Sequence, residues 1–235
     1  MEIDNDVLNA GRTLQSVMLS IYRSALIYPS DVAKAASTIE QVCHGASRAA
    51  GRWNDLRTGE ELIDSPHIVG EKLMLIVSDA AGMGRRMKGR SDDNLPHRLM
   101  TEVELADTVI RIADLTGALG VDIGQIMGDI SVLDETFLDE LRATIYSLSH
   151  PGPLMRVVGY VAKAMEGHRK ARKDAFFIHR PAVGAELARA VFMCFDVADR
   201  YGYDLASAIA EKLAFNAIHP DHKKDARLAE GGKAY

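Results

Sequence analysis

The sequence predicts an all-α protein. Apolar residues recur at intervals of three, four and seven through most segments, the signature of amphipathic helices. No run of period-two alternation rich in β-branched residues interrupts them. Between the periodic segments fall short clusters of Gly, Pro, Asp and Ser, which stop one helix and cap the next.

Taken in order, residues 1–10 carry Asp, Asn and Glu and cap or fray. A first helix is expected from about Leu8 to Leu26, with Leu14, Val17, Met18, Ile21 and Ala25 at helical spacing. Pro29, Ser30 and Asp31 close it and start a second, from about Asp31 to Trp53, with Ala35, Ile39, Val42, Cys43, Ala46 and Ala50 on one face. The segment Asn54–Gly70 reads as a loop. Two helices follow, about Glu71 to Met87 and Met100 to Ala118, joined by the charged loop Lys88–Leu99. Further helices are expected at about Asp122–Ile130, Glu135–Leu148, Leu154–Lys170, Ala182–Arg200 and Asp204–Ala217. His150 to Pro153 make a sharp break, and Pro220 ends the last helix. The tail from Lys223 to Tyr235 reads as a solvated or interface-draping arm. Met74 and Met155 are assigned to the core.

Composition bounds the function. The chain has 235 residues, 47% of them hydrophobic and 26% charged, ordinary globular values with room for a sizeable core. A net charge of −5 argues against bulk nucleic-acid binding. Two distant cysteines, Cys43 and Cys194, offer no disulfide framework and point to a reducing compartment. No apolar run approaches the roughly 18 residues of a membrane span. The acidic start MEIDNDVLNAGR does not read as a signal peptide, so a cytoplasmic location is expected.

Three carboxylates sit within otherwise apolar helical faces: Asp79, Glu104 and Asp107. Glu104 and Asp107, three apart, project from one side of a helix. Carboxylates facing each other across packed helices repel unless a cation lies between them, and hard, oxygen-ligated Mg²⁺ is the usual one. Lys72 falls on nearly the same face as Asp79, where it could meet a phosphate. Glu71 lies too far along the helix to share a ligand shell with Asp79 and suits the helix N-terminal turn. The clusters Arg85, Arg86, Lys88, Arg90 and His168, Arg169, Lys170, Arg172, Lys173 complement helix C-termini, with phosphate binding as the alternative. Trp53 suits a core or interface position ahead of a base-stacking platform, and His97 and His179 suit loop anchors ahead of metal ligands.

The chain also matches itself at a constant shift in numbering. His97-Arg98 recurs as His179-Arg180, and at that same shift Glu104-Leu105-Ala106 meets Glu186-Leu187-Ala188. Val109, Asp114, Gly120 and Asp122 meet Val191, Asp196, Gly202 and Asp204. Leu73-Met74 meets Leu154-Met155 at a shift shorter by one, as a single insertion would leave it. Because Gly, His and Asp take part, the reading is a duplicated helical unit. The expected spans are 1–30 for an N-terminal helix, 31–132 for the first copy and 133–235 for the second. In the second copy Tyr160 stands for Asp79 and Arg189 for Asp107, so an equivalent acidic site is not expected there.

The runs EKLMLIVSD, DDNLPHR, VELADTVIRIADLTGALGVD and EKLAFNAIHPDHKKDARLAEGGKAY resemble the MazG-like all-α nucleotide pyrophosphohydrolases. That resemblance implies a helical bundle in which an ExxE pair on one helix and an ExxD pair on the next hold Mg²⁺, with Mn²⁺ as the substitute ion. It implies metal-assisted attack of water on a nucleoside triphosphate, giving the monophosphate and pyrophosphate. The ExxD pair falls on Glu104 and Asp107, which would be the catalytic acids. The ExxE pair falls on Asp79 and Gly82, so one ligand is missing. A late Lys and Asn that contact nucleotide fall on Lys212 and Asn216, in the second copy. Acids in one copy and Lys/Asn in the other suggest one composite site, within a chain or across a homodimer. The expectation is therefore an Mg²⁺-dependent nucleoside triphosphate pyrophosphohydrolase. The alternative is a catalytically degenerate relative that binds nucleotide or serves in protein interaction.

Overall fold

The computed structural model describes residues 3–86, 89–144, 151–219 and 224–229. These form the helices α1 (Asn5–Tyr22), α2 (Pro29–Ala49), α3 (Ile68–Arg86), α4 (Met100–Ala118), α5 (Ile123–Leu133), α6 (Glu135–Thr144), α7 (Pro151–Arg169), α8 (Ala182–Tyr201), α9 (Leu205–Ile218) and the short α10 (Lys224–Leu228). Among the described residues there is no β-strand, only three isolated bridges, so the chain is all-α. No helix among the described residues is long and apolar enough to cross a membrane.

Local chemistry sets the helix ends. Asp4 caps α1, its carboxylate accepting from the N–H groups of Asp6 and Val7. Pro29 opens α2, where a missing N–H costs nothing. Asp122 and Asp204 cap α5 and α9 through the N–H groups of Gln125 and Ser207. Gly120 and Gly202 precede those caps in the left-handed region, φ +62° and +67°, which favours glycine.

The middle of the molecule is α8. Every residue from Ala182 to Ala198 is buried except Glu186, so this helix is surrounded on all sides. It packs on α7, α4, α5 and α1. α4 packs on α3, α2 and α9, and α3 meets α7. One hydrophobic cluster includes residues of α1 through α9 and so crosses the boundaries expected at residues 30 and 132.

The two helix hairpins bond alike. Asp92 accepts from the N–H groups of Asn94 and Leu95, and its counterpart in the self-match, Asp174, accepts from those of Phe176 and Phe177. The bridges Ser91–Leu99 and Lys173–Pro181 share that offset. Long-range contacts are reciprocal. Arg98, before α4, makes a two-pronged ion pair with Glu211 on α9, both contacts at 2.7 Å. Arg180, before α8, reaches Asp129 on α5 at 3.0 Å. Gly124 on α5 meets α2, just as Ala206 on α9 meets Gly11 of α1.

Some boundaries differ from the sequence expectation. α2 ends at Ala49 because Gly51 adopts φ +65°, which puts Trp53 in the following loop, still buried. Met74 and Met155 are 65% and 61% exposed, not core. Leu73 and Ile76 take the buried face of α3, and Met74 is rotated about 100° from Leu73. The tail holds α10, whose Arg227 donates to the carbonyls of Ala50 and Gly51. The side chains of Arg85 and Arg86, and residues 1–2, 87–88, 145–150, 220–223 and 230–235, lie outside the description.

The α2–α5 crossing depends on two glycines, Gly124 and Gly128, the first the tighter. A Cβ at Gly124 would lie 2.0 Å from Ser37 Oγ and 2.5 Å from the Ala33 carbonyl. Gly124→Ala is expected to destabilise the fold by about 1–3 kcal/mol. Gly45→Ala, on an exposed part of α2 where a Cβ meets nothing within 4 Å, is expected to stabilise it by about 0.5–1 kcal/mol. Thermal denaturation of both variants checks the contrast.

Candidate phosphate-binding site

The helical repeat brings charged and polar residues from four elements together around one cavity. On α3, Lys72 and Asp79 are seven apart and share a face. On α4, Asp107, Arg111 and Asp114 share another. On α9, Lys212 and Asn216 are one turn apart. The loop after α2 adds Arg52 and Trp53. Between them lies a cavity of about 520 Å³, within the range of about 300–1,000 Å³ usual for small-molecule sites. Arg52, Lys72, Arg111, Asp114, Asn216 and His219 supply its polar wall; Cys43, Ala46, Ile110 and Leu213 supply much of the apolar one.

Asp114 anchors this wall. Its carboxylate accepts from Trp53 Nε1 at 2.7 Å and from Ser47 Oγ at 2.8 Å, and it meets His44 Nδ1 at 3.0 Å. The Lys72 ammonium lies 4.5 Å over the Trp53 ring and 3.4 Å from the Arg52 carbonyl oxygen. Burial pulls the Lys72 pKa down to about 8; Asp114 opposes the shift, while Arg52, Arg111 and Arg227 add to it. Arg52 is pulled down as well, by burial and then by Arg111 and Arg227. The cavity thus gathers cations that repel one another, with Asp114 the one carboxylate among its lining residues.

The residues singled out in the sequence divide into groups. Lys72 and Asn216 line the cavity. Asp79 is bound by the Nε of Arg111, and the Asp79 pKa is pushed up to about 6 by burial, against Arg111 and with help from Asp107. Asp107 pairs with Lys212 at 3.0 Å. The acid of the first half and the lysine of the second therefore meet within a single chain. Glu104, one turn before Asp107, is partly buried outside the cavity lining. Among the described residues, no group of three or more His, Cys, Asp or Glu side chains is placed to hold an ion. As paired with Arg111 and Lys212, Asp79 and Asp107 do not fit the expected Mg²⁺, because those cations occupy the charges the ion would need.

Sequence reasoning passed over Arg52, Arg111 and the anchoring role of Asp114. Asp114 carried a signal, since it recurs in the self-match as Asp196. Arg111 could have been found as the residue one turn beyond Asp107. Arg52 had no such signal, because its place depends on the turn at Gly51.

At the corresponding positions of the second half the side chains are paired within the protein. Arg189, in place of Asp107, binds Asp134 and Asp174, both at 2.9 Å. Tyr160, in place of Asp79, donates to Glu140 at 2.6 Å. Asp196, in place of Asp114, is fully buried and accepts from Tyr22 at 2.6 Å and from Arg200. Comparison with family models, curated proteins and solved structures gave no match.

Proposed function

We propose that the chain binds a nucleotide, or a closely similar phosphate ester with an apolar body, in the cavity between α2, α3, α4 and α9. The observation that carries this is the meeting of Arg52, Lys72 and Arg111 on one part-apolar cavity with a single lining carboxylate. A cavity whose lining carries more cations than carboxylates favours an anion. The wall formed by Ile110, Leu213 and Ala46 suits a base or other flat apolar group, and Asn216 offers both a donor and an acceptor to its edge.

The duplicated MazG-like architecture is part of this proposal. The matching hydrogen bonds of Asp92 and Asp174 and the reciprocal Arg98–Glu211 and Arg180–Asp129 pairs support it. A cytoplasmic setting accords with two free, buried cysteines. Hydrolysis to the monophosphate and pyrophosphate rests on the resemblance, and the ion pairs of Asp79 and Asp107 weigh towards the binding reading instead.

Trp53 is the only tryptophan and touches Lys72, so its fluorescence reports on the cavity. Titration with a panel of NTPs and dNTPs should give saturable changes in emission, with no pyrophosphate released under Mg²⁺. Turnover of any nucleotide would restore the hydrolytic reading. Absence of binding across the panel would remove both. Gly82→Glu adds the missing acid at a position where a Cβ meets nothing within 4 Å, so activity gained by that variant would identify ligand loss as the block.

A further inference from the structure

We infer that the phosphate end of the ligand is seated directly on Arg52, Lys72 and Arg111, with no divalent ion between phosphate and protein. This rests on the proposed nucleotide-class ligand and goes beyond it by assigning how the anion is held.

A metal bridge needs carboxylates turned towards the phosphate. The carboxylate that lines the cavity, Asp114, already accepts from Trp53 and Ser47 and meets His44. The two nearby acids, Asp79 and Asp107, are each held by a cation, Arg111 and Lys212. An added dication would have to break both pairs and then stand beside the displaced positive charges. An anion meets the opposite situation. It leaves both of those pairs in place and relieves the repulsion among Arg52, Lys72 and Arg111.

The side-chain types fit that task. Guanidinium groups present planar, multi-donor edges that match phosphate oxygens, and an ammonium contributes a compact point charge. The Asp79 contact is to Nε of Arg111, which fixes the guanidinium at the cavity wall. Lys72 has three N–H donors and commits one to the Arg52 carbonyl at 3.4 Å. The Trp53 ring faces that ammonium, and Trp53 is itself held by Asp114. The phosphate seat is thus built mainly from residues outside the Asp79–Glu104–Asp107 acid set.

The test is binding of a nucleoside triphosphate, and separately of inorganic pyrophosphate, to the full chain by calorimetry and Trp53 fluorescence, in EDTA and in excess Mg²⁺. Saturable binding in EDTA is expected, with Mg²⁺ weakening it by competing for the phosphate oxygens. Arg52→Met and Arg111→Met should each weaken EDTA binding by about tenfold or more, the size of one lost charged hydrogen bond. Arg52→Lys should recover part of the loss, which separates lost charge from a damaged fold. Asp107→Asn should tighten EDTA binding by about threefold, because it removes a negative charge from beside the site. Binding that requires Mg²⁺, or that is lost in Asp107→Asn, would overturn direct seating while leaving the nucleotide reading intact. No binding in either buffer would overturn both.

Discussion

Lys72→Met is expected to abolish ligand binding and, at the same time, to raise the melting temperature of the ligand-free protein. Lys72 is only 7% exposed and is surrounded by Arg52, Arg111 and Arg227, with Asp114 as its opposing charge. Its pKa, lowered to about 8 from an ordinary 10.5, means that burial and like charges penalise the protonated form. At neutral pH the ligand-free fold carries that penalty in full. Methionine keeps the stem's packing and removes the charge, at the loss of the cation–π contact with Trp53. The net gain is expected to be on the order of 1 kcal/mol, read from chemical denaturation. A site that stabilises a ligand's phosphate at a cost to the empty fold is the usual trade between function and stability. Equal or lower stability together with unchanged binding would show that Lys72 is a structural lysine.

The same shift fixes a pH dependence. Between about pH 8 and the ordinary lysine range, the folded chain binds fewer protons at this amine than the unfolded chain. Stability of the ligand-free protein therefore gains from Lys72 as pH rises through that window, and the gain is absent below it. Ligand affinity runs the opposite way, because phosphate needs the ammonium. Affinity should hold below about pH 8 and fall above it. Lys72→Met should remove the lysine contribution from the stability profile.

The helices were legible because their pattern depends only on local spacing. The expected Met100–Ala118 limits agree with α4, and the Asp122 and Asp204 caps act where the self-match put them. Trp53 was misplaced for a local reason, since only a positive φ at Gly51 takes it out of α2. Met74 was assigned inward by residue type, yet its angular position on α3 decides its exposure. In the site, the meeting of Lys212 with Asp107 followed from noticing that acids and lysine survive in opposite halves. What spacing could not give was the partner of each acid. Arg111 engages Asp79 across the α3–α4 packing, and whether two acids face a cation from the protein or one from solution depends on that geometry.

Arg189→Met is expected to be among the most destabilising single changes in the chain, by about 3–5 kcal/mol. Arg189 is 8% exposed and serves two acids that are more deeply buried, Asp134 at 4% and Asp174 at 5%. Despite burial, the bonds from Arg189 and the Phe177 N–H hold the Asp174 pKa below its usual value. That stabilisation is present above the ordinary aspartate range and is lost as pH falls through the lowered pKa. Without Arg189 the sign inverts: a buried carboxylate with no counter-charge resists ionisation, so the variant should lose stability as pH rises from about 4 to 7. Adding Asp134→Asn and Asp174→Asn should recover a large part of the loss, because asparagine still accepts from the N–H groups of Phe137, Phe176 and Phe177. Recovery would assign the cost to unpaired charge; none would assign it to lost packing around the guanidinium. The position has a wider meaning for the site. In the self-match Arg189 is the counterpart of Asp107, and at the same shift Asp134 is the counterpart of Asn216. Across α4 and α9 the pair is Asp107 with Lys212, whereas across α8 and the start of α6 it is Arg189 with Asp134. Positions 107 and 189 thus carry opposite signs in the two halves, and their partners Lys212 and Asp134 stand at positions that do not correspond. In the first half the ion pair sits beside a cavity with Arg52, Lys72 and Arg111 on its wall. In the second the arginine is consumed by its own acids, which leaves it no role in holding a phosphate.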